Sequence, residues 1–471
     1  MARTTQAGAG ARPPVTAKTV TARSVPAHPF PARPLALALP LMLAVAACAP
    51  VPSVSEFRPK GGETAQLAPM TGRAAFWTAF GDRQLDALMQ AGLTNNLTLR
   101  EAAERITEAQ SLTGIPRETQ IGLQASTSRS REGDFPIVTS ERATLSGSWL
   151  LDFFGGPSVK AQSIARRDMA YFAADVARLS LAAEIATAYI DLRYAQAVIT
   201  FTRRSVESRR QSRGSIGSQF EAGAATRLDV LRADQRLALA EAQLPQLEVQ
   251  AEVALNRLAT LTAQSPQALR GIFTRGGAQP VARWNAASGI TADTVRLRPD
   301  VQLAERTLHE RAAAVGIARS SLLPSLSLGG NVSVPGSGVR AWTFGPTLNL
   351  PIFSAGANRA NLSAAESRAR QAYLAWQAAV LEGVEDIGNA LAAYCRDGRN
   401  VGAQQRLVSI TQETLDLARS SYDLGETDFL SILDAEVELL DARQSLAAAQ
   451  RTRAINFVRL NVATAGSVLP R

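Results

Sequence analysis

Side chains able to do chemistry are sparse in this 471-residue chain, and that bounds its function. Histidine occurs only at positions 28 and 309, and cysteine only at 48 and 395. His309-Glu310 lacks the second His, four residues on, that a zinc-protease helix requires. A glycine-rich phosphate loop is also missing, so the pattern assigns no catalytic residue, no metal ligand and no cofactor. Two cysteines make no disulfide framework. Formal charge is +9, but Arg3, Arg12, Lys18, Arg23 and Arg33 precede every acidic residue. Without these five, 45 basic residues face 41 acidic ones, with no basic stripe of the kind that binds nucleic acid.

Cys48 has a context of its own. Residues 35–47 (LALALPLMLAVAA) form an apolar run too short to span a bilayer and suited to a signal-peptide core. Val45-Ala46-Ala47-Cys48 then resembles the lipobox of bacterial lipoproteins, with Val45 in place of the usual Leu. That resemblance implies cleavage before Cys48 and lipidation of it, and Ala49 after the Cys implies sorting to the outer membrane. Several acyl chains give stable anchoring where one alone is marginal. An ordinary signal peptide with an incidental Cys is the plainer alternative. Cys395, in an Ala-rich run, is expected to pack as a small apolar residue.

The remaining polar groups of interest cluster in a stretch that occurs twice. FEAGAATRLDVLRAD (220–234) and YDLGETDFLSILDAE (422–436) align at an offset of 202, pairing Phe220 with Tyr422, Gly223 with Gly425 and Leu228 with Leu430. Each copy lies between long Ala-, Arg-, Glu- and Leu-rich runs. Gly223 and Gly425 fit left-handed helix C-caps, and Thr226 or Asp428 can cap the helix that follows. Each copy therefore predicts the tip of a helical hairpin. The run from Ser158 to Ala222 holds no proline and predicts a helix roughly 100 Å long. Its return from Thr226 to about Thr262 contains Pro245, where a kink or break is expected.

Before each hairpin the period changes to two. Ile121, Leu123 and Ala125 alternate with Gln120, Gly122 and Gln124. Leu145, Trp149 and Leu151 alternate with Ser146, Ser148 and Asp152. Residues 326–334 and 342–352 repeat this pattern. The expected organisation is a signal peptide at 1–47, an extended linker at 48–75 and a first repeat at 76–270. A linker or equatorial region at 271–297 and a second repeat at 298–471 follow. The β-hairpins are expected at about 119–154 and 325–353. Four strands cannot close a barrel, and open edges are not tolerated in lipid. Three chains would supply twelve strands, apolar outward and polar inward. Trp149 and Trp342 suit membrane interfaces or strand packing.

FWTAFGD, SWLLDFFGG, LRPD, IARSSLLPSLSL, FGPTLNLPIF and VEDIGNAL, in this order with the two tip copies, resemble the outer-membrane efflux protein family. The likeness covers nearly all of residues 75–466 and is nearest to the family's TolC-like lipoprotein branch. It implies a trimer whose twelve-stranded transmembrane β-barrel continues into a long periplasmic α-helical barrel. It further implies an exit duct for small toxic compounds, working with a periplasmic adaptor and an inner-membrane pump of the resistance–nodulation–division type. Carried onto this chain, the family pattern puts a pore constriction at Leu430 and Asp434. It sets Tyr422 opposite Asp229 as a gate contact and makes Gly223 and Gly425 the adaptor-facing tips. Ordinary inter-helix contacts are the alternative for Tyr422 and Asp229. A polypeptide-secretion duct and a lipidated coiled-coil adaptor are the competing functions; the paired strands argue against the adaptor.

Overall fold

The computed structural model describes residues 75–113, 119–131, 133–274, 276–283, 293–336, 338, 340–352 and 354–465. The expected signal peptide and Cys48 lie outside the described residues. After a 3-10 turn at Phe76–Phe80 come α1 (Arg83–Asn95), α2 (Leu97–Thr113), β1 (Thr119–Ser130), β2 (Val138–Leu151), α3 (Gly156–Glu221), α4 (Arg227–Thr262) and α5 (Pro266–Ile272). The second half holds α6 (Asp293–Arg296), α7 (Pro299–Ser320), β3 (Ser325–Pro335), β4 (Ala341–Asn349), α8 (Ala355–Asp423) and α9 (Phe429–Ala463). No helix among the described residues is long and apolar enough to cross a membrane.

The internal repeat holds for a tertiary contact as well as for letters. Asn96 caps α2 by accepting from the backbone N–H of Thr98 and Leu99, while its amide donates at 2.9 Å to the carbonyl of Leu261, 165 residues on. In the second half Arg298 occupies the matching place ahead of α7. Its guanidinium donates at 3.1 Å to the carbonyl of Ala463, again 165 residues on. Both bonds satisfy a carbonyl in the last turn of a returning helix, which has no intrahelical partner. Arg298 is buried and also holds Asp300 at 2.7 Å and Asp386 of α8 at 2.9 Å. It ties α7, α8 and α9 together at one point.

The long helices α3 and α8 have 66 and 69 residues, each roughly 100 Å at 1.5 Å per residue. On the sheet side they pack with α2 and α7, in the lateral order α2–α3–α7–α8. On the tip side the order is α4–α3–α9–α8. Four helices therefore stand side by side at either level. The α3–α7 contact is close: a Cβ on Gly316 would fall 2.2 Å from the Ser158 hydroxyl. Pro245 does not break α4, which runs unbroken to Thr262. It sits on an exposed face, where water can satisfy the carbonyl that loses its donor. The α3–α4 hairpin carries Arg213–Asp234, Arg210–Glu241 and Arg203–Glu248 pairs at 2.7–2.9 Å. All are solvent-exposed, so each is worth roughly 0–1 kcal/mol.

The main core lies around the middle of α3, where Phe76, Phe80, Leu85, Met89, Tyr189 and Phe457 are buried together. Tyr189 donates to the Asp82 carboxylate and accepts from Arg193 Nε at 3.0 Å. Burial and the bond to Asp82 push the Tyr189 hydroxyl's pKa upward, keeping it a donor. Cys395 departs from expectation: it is exposed on α8, because the preceding Tyr394 takes the inward position beside Phe457.

The four strands form one antiparallel sheet in the order β1-β2-β3-β4. Leu123 pairs with Leu145, Leu145 with Val332 and Val332 with Trp342. Apolar positions thus stay on one face across all four strands, and that face is exposed: Ile121 is 78% accessible and Trp342 76%. The other face carries Gln124, Thr144 and Ser333 in one row. β1 and β4 each have one unpaired edge among the described residues. Trp149 pairs with Leu328, whereas Trp342 pairs with Val332. A separation of four residues is about 13 Å, short of an apolar band about 25 Å tall. The two indoles therefore do not mark its opposite borders.

Candidate gate at the hairpin tips

Both tips close by the same local chemistry. In the first, Gly223 has φ +77° and Ala224 N–H donates at 2.8 Å to the Gln219 carbonyl. In the second, Gly425 has φ +79° and Glu426 N–H donates at 2.8 Å to the Ser421 carbonyl. These are Schellman closures, in which glycine avoids the Cβ cost of the left-handed conformation. α4 then starts with a capping box: Asp229 N–H donates to Thr226 Oγ1 at 3.2 Å, and Thr226 N–H to the Asp229 carboxylate at 3.1 Å. Asp428 caps α9 by accepting from Ser431 N–H at 3.2 Å.

The two tips share one apolar cluster. Ile216, Val230 and Ala233 of the first hairpin are buried with Leu415, Phe429, Ile432 and Leu433 of the second. Tyr422 lies on its border, with its ring 5.7 Å from that of Phe429. Polar links near the tips also cross between hairpins. Tyr422 donates to Gln219 Oε1 at 2.5 Å. Arg236 holds Asp434 at 3.1 Å. The Glu436 carboxylate accepts from Ser208 at 2.7 Å and Ser212 at 3.0 Å, both on α3, and from Arg419 of α8 at 2.9 Å.

The residues carried over by resemblance fall into this arrangement unevenly. Tyr422 links the hairpins, but through Gln219. The Asp229 carboxylate is engaged by Thr226, whose hydrogen bonds hold it below the usual carboxylate pKa. Asp229 therefore serves its own helix start. Leu430 is half-buried, and the Asp434 side chain is 53% exposed. Gly223 and Gly425 are exposed at the turns.

Two features were missed at the sequence level. Glu436 aligns with Asp234 in the repeat, yet Asp234 is exposed and paired with Arg213, whereas Glu436 is 4% exposed and spans the hairpins. Both are acidic residues after an Ala, and the repeat gives no sign of this difference in burial. The second feature had a signal. Asp434, Glu438 and Asp441 are exposed and spaced four and three residues apart, so they form one acidic stripe on α9 above Leu430.

A family profile described as Outer membrane efflux protein matches residues 86–264 and 293–466, one segment for each repeat. Nodulation protein T of Rhizobium leguminosarum bv. trifolii is 35% identical over 413 residues, covering 84% of this chain and 88% of that protein. The cation efflux system protein CusC of Escherichia coli (strain K12) is 29% identical over 416 residues, covering 83% of this chain and 89% of that one. Among solved structures, the outer-membrane channel OprN superposes with a TM-score of 0.77 at 29% identity. It covers 88% of this chain and 99% of OprN.

Proposed function

This chain belongs to the outer membrane efflux protein family, and from that premise we propose how three copies of it form and gate a duct. Its fold is that of the TolC-like trimeric channels, and it is an efflux channel of the Gram-negative outer membrane. The observation that carries the proposal is the sheet. It has one continuous apolar face, one polar face and two unpaired edges, an arrangement stable in lipid only if the edges pair between copies. Closure of three chains gives twelve strands around a polar lumen, and the four side-by-side helices per chain give twelve below it.

Within that duct the hairpin tips are the gate. Leu430 narrows the aperture and Asp434 rings it, with Glu438 and Asp441 continuing the acidic lining. Arg236 neutralises part of this charge at rest. Tyr422, Arg236 and Glu436 hold the two hairpins of each chain together. Asp229 maintains the start of α4, and Gly223 and Gly425 form the turns presented to a periplasmic adaptor. An inner-membrane pump of the resistance–nodulation–division type supplies the energy, Cys48 carries the lipid anchor, and the cargo is small toxic compounds.

Deletion of the gene is expected to make cells hypersensitive to dyes, detergents or antibiotics, with resistance restored from a plasmid. Unchanged susceptibility combined with loss of a polypeptide from the medium would replace this reading with protein secretion. At the aperture, Asp434→Asn should lower cation preference in planar bilayers, and Arg236→Ala should raise it by freeing the carboxylate. Unchanged selectivity in both variants would remove the pair from the pore.

A further inference from the structure

The face of α9 opposite the acidic stripe holds an arrangement of reversed sign. At 100° per residue, Glu436, Leu439, Leu440 and Arg443 lie across the helix from Asp434, Glu438 and Asp441. They line a half-open recess of about 130 Å³ that α9 shares with α3 and α8. Arg204 of α3, Arg419 of α8 and Arg443 of α9 converge on it, and Glu436 is the one carboxylate in its wall. Arg419 is bonded to that carboxylate at 2.9 Å and to Ser208 at 2.7 Å. Arg443 donates at 2.6 Å to the neutral Gln412, and Arg204 makes no ion pair among the described residues. In the wall, one carboxylate therefore faces three guanidinium groups, with Asp416 lying behind Gln412.

We propose that this recess binds a small tetrahedral oxyanion, such as phosphate or sulfate, which bridges Arg204 of the first hairpin to Arg419 and Arg443 of the second. Guanidinium forks match oxyanion geometry and bind it in bidentate fashion. The volume leaves room for one such ion together with water, since one water needs only about 10–15 Å³ of such space. The electrostatics agree. Burial, then repulsion from Arg204, lower the pKa of Arg443, and nearby Asp416 offsets only part of this. An anion in the recess removes that repulsion. Because it contacts both hairpins, it favours the arrangement in which they are joined, so binding and opening oppose each other. This regulatory consequence rests on the gate reading above; the binding site does not.

The test uses the purified full-length protein, with sulfate titrated against chloride at constant ionic strength. Calorimetry should give saturable binding to the wild type. Arg204→Gln with Arg443→Gln should weaken it more than about tenfold, as expected for loss of charge-assisted bonds, and Arg443→Lys should retain most of it. Arg204→Gln alone, at an exposed position, serves as the variant least able to disturb folding. No saturable binding by wild type, or equal binding by wild type and the double variant, would overturn the site. In planar bilayers sulfate should lower wild-type conductance saturably and leave the double variant unaffected. Equal sensitivity in both would overturn the link to the gate. A protein that binds sulfate yet never conducts would sink the duct reading while leaving the site intact.

Discussion

Arg298→Ala is expected to be among the most destabilising single substitutions in the chain, lowering the thermal midpoint of the purified protein by several degrees or more. The reason is the number of groups it leaves behind. Arg298 is 7% exposed and serves the Ala463 carbonyl, Asp300 and Asp386, on three helices. Truncation strands a buried carbonyl at the end of α9 and removes the countercharge of two carboxylates. The carboxylates are about half-exposed, so water recovers part of the loss. A net cost of about 2–4 kcal/mol follows. Arg298→Lys should fall between, because an ammonium cannot reproduce the planar fork that reaches all three acceptors.

The same residue gives an acid limb to stability. Burial alone would raise the Asp300 pKa, but the hydrogen bond and charge of Arg298 outweigh it and hold the carboxyl below its ordinary value. A depressed folded pKa contributes stability that is present above the unfolded value, about 3.9, and is lost as pH falls through the folded one. Thermal midpoints of wild type should therefore drop more steeply below about pH 4 than those of Arg298→Ala. A wild-type midpoint in Arg298→Ala would show that the node is dispensable.

The second large effect is expected at the gate. Tyr422→Phe combined with Glu436→Ala removes the Tyr422–Gln219 bond and the Glu436 network between hairpins while leaving the shared apolar cluster in place. The neutral Tyr422–Gln219 bond is worth about 1 kcal/mol and the charged Glu436 network about 2 kcal/mol. Their joint loss moves a two-state equilibrium roughly a hundredfold toward opening. Planar-bilayer recordings should then give higher conductance and longer open times, with Tyr422→Phe alone giving a smaller change. Conductance identical to wild type, from protein that still assembles, would mean that apolar packing by Phe429 and its neighbours, with the remaining Arg236–Asp434 pair, holds the tips without these two links.

Much of the architecture was legible in the letters because it depends on local rules. A period of two, a proline-free run or a glycine followed by a capping residue acts over a few neighbours. Strands, long helices and tips could therefore be located without knowing what they touch. The duplication at an offset of 202 went further, since Asn96 and Arg298 reach carbonyls at the same distance along the chain. Tertiary structure decided which of two aligned carboxylates is buried: Asp234 meets Arg213 at an exposed edge, whereas Glu436 meets Ser208 and Ser212 of α3 and Arg419 of α8. It likewise turned Tyr422 toward Gln219, engaged Asp229 at its own helix start and gathered Arg204, Arg419 and Arg443 from three helices. Such partners lie up to some 240 residues apart, and their meeting depends on the axial register and rotation of packed helices. That register emerges from the summed packing of many side chains, and no short stretch of sequence records it.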